Sequence, residues 1–153
     1  MNTEKSIEVL NKLIEINNDR IEGYETASKE TEESDLKDLF SQFSKTSRKC
    51  KEELVQEVRR LGGKPTEGTK TSGKFYRLWM DVKASLTSKD RKKILESCEF
   101  GEDAAVDVYK KVLQEDVGDI SREQDVMINT QYASIKADHN KVRNLRDMAV
   151  EHK

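Results

Sequence analysis

Few residues of this chain have side chains suited to chemistry, and several of them fall on apolar helical stripes. Glu102 is the most telling. Ile94, Cys98, Glu102, Ala105, Tyr109 and Val112 recur at spacings of three and four, which places this carboxylate on an inward face. A carboxylate there needs a cation, a hydrogen-bond donor or a proton, because burial disfavours its charged form. Tyr24, Tyr109, Lys136 and His139 are the candidate protein partners, and a divalent ion is the other solution. Of the chain's 2 histidines, His139 is the one outside the C-terminal tail. It flanks a stripe made of Ile128, Gln131, Ile135, Asp138, Val142, Leu145 and Ala149.

Four more inward positions carry polar or thiol groups. Asn17 suits a register-fixing core amide. Ser47 suits a small hydrogen-bonded spot in a narrow layer. Cys50 reads as a buried thiol, with soft metal ligation as the alternative, and Cys98 as core filler. Cys50 and His139 could face each other across two helices as a thiol–imidazole pair. A bundle core offers such a pair no oxyanion hole and no substrate cleft. The sequence has no Gly-rich phosphate loop, no GxSxG, no HExxH and no pair of CxxC motifs. The reading therefore leans away from an enzyme.

Long helices must position these groups. Thr3 is the expected N-cap of a helix reaching about residue 30, with Ile7, Leu10, Ile14, Asn17, Ile21 and Tyr24 as its stripe. A second helix carries Leu36, Phe40, Phe43, Ser47, Cys50, Leu54 and Leu61, and Gly62-Gly63 with Pro65 stops it. Residues 66 to 73 read as a loop, and residues 74 to 86 as a short helix with Phe75, Leu78, Trp79, Val82 and Leu86 on one face. Ser88 is the expected N-cap of the third long helix. Gly118-Asp119 breaks the chain again, and Ser121 with Gln124 forms a capping box for the fourth. Short, long and short links favour antiparallel pairs joined by one crossover, so helices two and three should run parallel; an up-down-up-down bundle with a helical flap is the alternative. The fold class expected is all-α, a single domain over residues 1–153.

Composition narrows the functional classes. Charged residues make up 38% and the net charge is −2, which leaves no basic field for nucleic acid and no polybasic membrane anchor. No apolar run approaches the roughly 20 residues of a membrane span. The first residues lead straight into an amphipathic pattern without signal-peptide character, so a cytoplasmic location with reduced thiols is expected.

Leu10 to Ile14 with Ile21 and Tyr24, and Arg59 to Pro65, resemble the first and second helices of bacterioferritin-type proteins. Ile16 to Tyr24, Trp79 to Lys83 with Leu86-Thr87, and Gly101 to Ala105 resemble a family of bacterial ferritin-like four-helix bundles of unknown function. The resemblance covers nearly the whole chain and implies a ferritin-like bundle whose crossover carries the extra short helix.

Ferritin-type di-iron sites take a Glu from each of two helices and Glu-x-x-His from each of the other two. The matching positions here are Asn17, then Ser47 to Cys50, then Glu102, then Lys136 to His139. Glu102 and His139 alone keep the family's ligands, and Asp138 could substitute for one more. The resemblance thus implies a degenerate di-iron site with too little anionic charge for two ferric ions. What it implies overall is a non-enzymatic, stress-associated or interaction protein. The alternative is a bundle holding one divalent ion on Glu102 and His139, with Asn17, Cys50 or Asp138 assisting and a secondary redox or storage role. The apolar surface of Phe75, Tyr76 and Trp79 further suggests a homodimer or higher oligomer.

Overall fold

Asn2, one residue before the expected cap, opens the first helix: its Oδ1 accepts from the backbone N–H of Glu4 at 3.0 Å and of Lys5 at 3.3 Å. An amide oxygen there satisfies donors that the first turn leaves unpaired. The computed structural model describes residues 2–67 and 91–151. They form α1 (Thr3–Glu30), α2 (Ser34–Arg60), α3 (Arg91–Glu115) and α4 (Arg122–Glu151), with a 3-10 turn at Val117–Asp119. Among the described residues there is no strand. The expected short helix with Phe75, Leu78, Trp79 and Val82, the rest of the connector beyond residue 67, and Ser88 lie outside the described residues.

Local chemistry sets the other helix ends. Gly62, at φ +82°, follows the C-cap of α2, and the N–H of Gly63 returns to the carbonyl of Val58 at 2.9 Å. Ser121 and Gln124 cap each other reciprocally: Ser121 N–H donates to Gln124 Oε1 at 2.9 Å, and Gln124 N–H to Ser121 Oγ at 3.1 Å.

α1 packs along α2 and α3 along α4, while α1 also meets α3 and α2 meets α4. Side-chain contacts fix the directions. Arg91 at the start of α3 pairs with Asp35 at the start of α2, at 2.7 Å. Gln124 at the start of α4 reaches Glu57 near the end of α2, at 3.0 Å. α2 and α3 therefore run parallel, while α1 with α2 and α3 with α4 run antiparallel.

Two apolar clusters fill the interior. One is mainly aliphatic and includes Leu10, Leu13, Ile14, Leu54, Val58, Val112, Ile128 and Ile135. The other is more aromatic, with Tyr24, Leu36, Phe40, Phe43, Leu95, Cys98 and Val142. Tyr24 stacks on Phe40 and meets Phe43 edge-on, at ring separations of 5.7 and 5.1 Å. Each large apolar side chain buried here contributes roughly 1.5–3 kcal/mol. Between the clusters lies a layer that is not apolar.

One expected stripe needs correction. On α1 the inward face runs from Asn17 through Arg20 to Tyr24, all three fully buried, whereas Ile21 is only half-buried. Position 20 is three residues after Asn17 and four before Tyr24, so it satisfies helical spacing as well as position 21 does.

Candidate functional site

Arg20 is the centre of the polar layer. Its guanidinium, with no solvent exposure, donates from Nη2 to Glu102 Oε1 at 2.7 Å and to Asp138 Oδ2 at 3.2 Å. Nη1 donates to Ser47 Oγ at 2.5 Å. One side chain from α1 thus engages α2, α3 and α4. The Tyr24 hydroxyl also donates to Glu102 Oε1, and the guanidinium carbon lies 5.5 Å from the Tyr24 ring centroid.

Burial opposes the positive charge of Arg20. The Glu102 carboxylate, with its hydrogen bond, and Asp138 outweigh that effect and raise the arginine pKa above its ordinary value. Burial pushes the Asp138 carboxyl up to about 6, with Arg20 pulling the other way and Glu102 adding to the rise. The Tyr24 phenol is held well above its usual pKa, first by burial and then by the Glu102 charge, which suits a hydroxyl that donates.

A second network lies one helical turn away. Asn17 Nδ2 donates to the Tyr109 hydroxyl at 2.8 Å, and that hydroxyl donates to Gln131 Oε1 at 2.8 Å. Gln131 Nε2 then donates to Glu53 Oε1 at 3.1 Å and to the carbonyl of Cys50 at 3.3 Å. The chain visits α1, α3, α4 and α2 in turn, and each link polarises the next. Between α2 and α4 a groove of about 340 Å³ opens to solvent, with Cys50, Gln131 and Asp138 among its lining.

The residues singled out from the sequence are therefore divided. Asn17, Ser47, Glu102, Gln131 and Asp138 lie in the layer, and Cys50 is buried beside it. His139 is not with them. Its Nε2 meets Asp103 Oδ1 at 2.5 Å and its Nδ1 faces Asn140, on the seam of α3 and α4. Since Asp138 points inward, the next residue is turned by about 100° from it. Glu102 is thus engaged by Arg20 and Tyr24, and His139 by Asp103. Among the described residues, no group of three or more His, Cys, Asp or Glu side chains is placed to hold a metal.

A pair of metal ions also fails a direct test of fit. The space between the Glu102 and Asp138 carboxylates is taken by a fixed cation, and Glu102 Oε1 already accepts from Arg20 and Tyr24. The thiols offer little nucleophilicity. Burial pushes Cys50 up to about 11 and raises Cys98 further, where the Glu102 charge adds to it. Among the described residues, the layer joins all four helices through hydrogen bonds, and both thiols in and beside it are held protonated.

Three buried atoms in the layer find no hydrogen-bond partner among the described residues: Asn17 Oδ1, Arg20 Nε and Glu102 Oε2. Arg20 itself was missed in the sequence because arginine ordinarily lies at the surface. The signal that could have found it is its place on the Asn17–Tyr24 face, opposite two inward carboxylates that lacked a cation.

Among the described residues, no helix is long and apolar enough to cross a membrane. A family model described as a domain of unknown function, DUF2383, matches residues 5–115. That span includes Asn17, Arg20, Ser47 and Glu102 and ends before α4. No curated protein matches the chain significantly.

Proposed function

The chain belongs to the DUF2383 family, a domain of unknown function, and from that premise we propose a non-enzymatic, ferritin-like four-helix bundle in which an arginine replaces the metal ions. Its role is that of a stress-associated or interaction protein rather than a ferroxidase. The parallel run of α2 and α3 supports the ferritin-like topology. The observation that carries the proposal is the fully buried Arg20, bonded to Glu102 at 2.7 Å and Asp138 at 3.2 Å. A guanidinium is always charged, is held in place by three helices, and supplies permanently the countercharge an ion would bring.

The test is metal analysis of protein purified without a histidine tag, after growth in medium containing iron, zinc and manganese. The expected result is no stoichiometric metal. One retained ion per chain would overturn the reading in favour of a divalent-metal protein. We further propose that the chain forms a homodimer or higher oligomer. Sedimentation equilibrium at micromolar concentration would reject that if it found only a 17.6 kDa species.

A further inference from the structure

We infer that the polar layer contains a built site for internal water, closing the network among Arg20, Asn17 and Glu102. The inference rests on the reading of Arg20 as the cation of the layer. Its basis is the chemistry of the three buried atoms that lack a protein partner among the described residues. Arg20 Nε carries a hydrogen to donate, whereas Asn17 Oδ1 and Glu102 Oε2 can only accept. All three residues have no exposed surface, so bulk solvent does not satisfy those atoms. Leaving a polar group unpaired in such a place is strongly unfavourable, and native interiors seldom do so.

The inventory selects the ligand. A metal cation would suit the two oxygens and be repelled by the guanidinium. An anion would suit Nε and be repelled by Glu102, and it could not donate to Asn17. A molecule that both accepts one hydrogen bond and donates two meets all three demands, and water does this with its usual number of about three bonds. The positions are mutually close. Arg20 is bonded directly to Glu102 at 2.7 Å, and Asn17 lies one turn before Arg20 on the same face of α1. One water, or two in series, can join them.

Among the described residues, neighbouring groups do not compete for these atoms. Asn17 already uses Nδ2 on Tyr109 and on the carbonyl of Leu13, both at 2.8 Å, which turns Oδ1 toward the layer. Tyr24 and Arg20 Nη2 both use Oε1 of Glu102, leaving Oε2. The groove between α2 and α4 has Asp138, a partner of Arg20, in its lining, so solvent comes up to the layer on that side.

The experiment is a high-resolution crystal structure of the full chain, from crystals soaked in manganese chloride, with anomalous data recorded. The expected result is one or two density peaks within hydrogen-bonding distance of Arg20 Nε, Asn17 Oδ1 and Glu102 Oε2, without anomalous signal. An anomalous peak there would overturn the inference by showing a metal site. No peak, with the three atoms satisfied by other protein groups, would overturn it too. An arginine head turned away from Glu102 and Asp138 would defeat the charge reading itself. A paired arginine beside a dry layer would defeat only the water. In solution, cross-relaxation between water and the Arg20 Nε–H should be detectable, and it should weaken in Asn17→Leu while that variant remains helical.

Discussion

The ends of the bundle and its waist solve the same packing problem by different physics. At the ends, Leu10, Leu54 and Ile128 on one side and Phe40, Phe43 and Leu95 on the other gain from burial that depends little on direction. Such cores accept other apolar residues of similar volume. At the waist, every contact has a donor and an acceptor, and all four helices contribute to it. A slide of α1 by a single turn would leave apolar surface still covering apolar surface at the ends. The same slide would strip Arg20 of both carboxylates. The waist therefore specifies register, as polar core groups do in helical assemblies, while the ends supply the bulk of the stability.

The largest effect should come from breaking the waist on one side only. Arg20→Ala leaves Glu102 and Asp138 buried without their cation, and removal of one partner from a buried pair costs about 3–5 kcal/mol. Leu54→Ala at the aliphatic end should cost about 2–5 kcal/mol through its cavity. Denaturant unfolding measures both. A sharper comparison is the triple change Arg20→Met, Glu102→Leu, Asp138→Leu, which removes the charges together. Its stability should lie close to wild type or above it, and its amide spectrum should show more than one helix register. A single sharp spectrum would show that the ends alone fix the fold.

A smaller effect should follow pH. Asp138 has a folded pKa of about 6, above its ordinary value of 3.8. The folded state therefore binds the proton more tightly than the unfolded chain does. Stability from this group is full below the unfolded value and is lost as pH rises through about 6. Asp138→Asn should remove that slope and raise stability at pH 7.5 by roughly 1–2 kcal/mol, less than the whole shift implies because the carboxylate borders an open groove. Thermal melts of both proteins between pH 4.5 and 7.5 would check it. Equal slopes in the two would place the titration elsewhere.

The smallest effect is expected outside the waist. Arg91 also pairs with carboxylates, Asp35 at 2.7 Å and Glu33 at 3.2 Å, but these groups lie at the surface. Arg91→Ala should cost about 0–1 kcal/mol and less in high salt. A loss as large as that of Arg20→Ala would mean that burial is not what separates the two arginines.

The sequence by itself determined the helices, their caps at Gly62 and Ser121–Gln124, and the inward faces bearing Asn17, Ser47, Glu102, Gln131 and Asp138. These follow from local rules: helical spacing, turn chemistry and the preference of apolar residues for one side. Only the tertiary structure decided what the inward polar groups meet. Position 20 and position 21 fit the α1 stripe equally well by spacing, and local preference favours the isoleucine. The arginine is buried because α3 and α4 bring two carboxylates to it, a fact that no window along α1 contains. His139 shows the converse. Its neighbour Asp138 takes the inward direction, so the imidazole turns to Asp103 on the seam instead of joining Glu102. Spacing along one helix fixes which face a residue occupies, but the partner across the core is set by how four helices dock, and that is where the chemistry of this layer was decided.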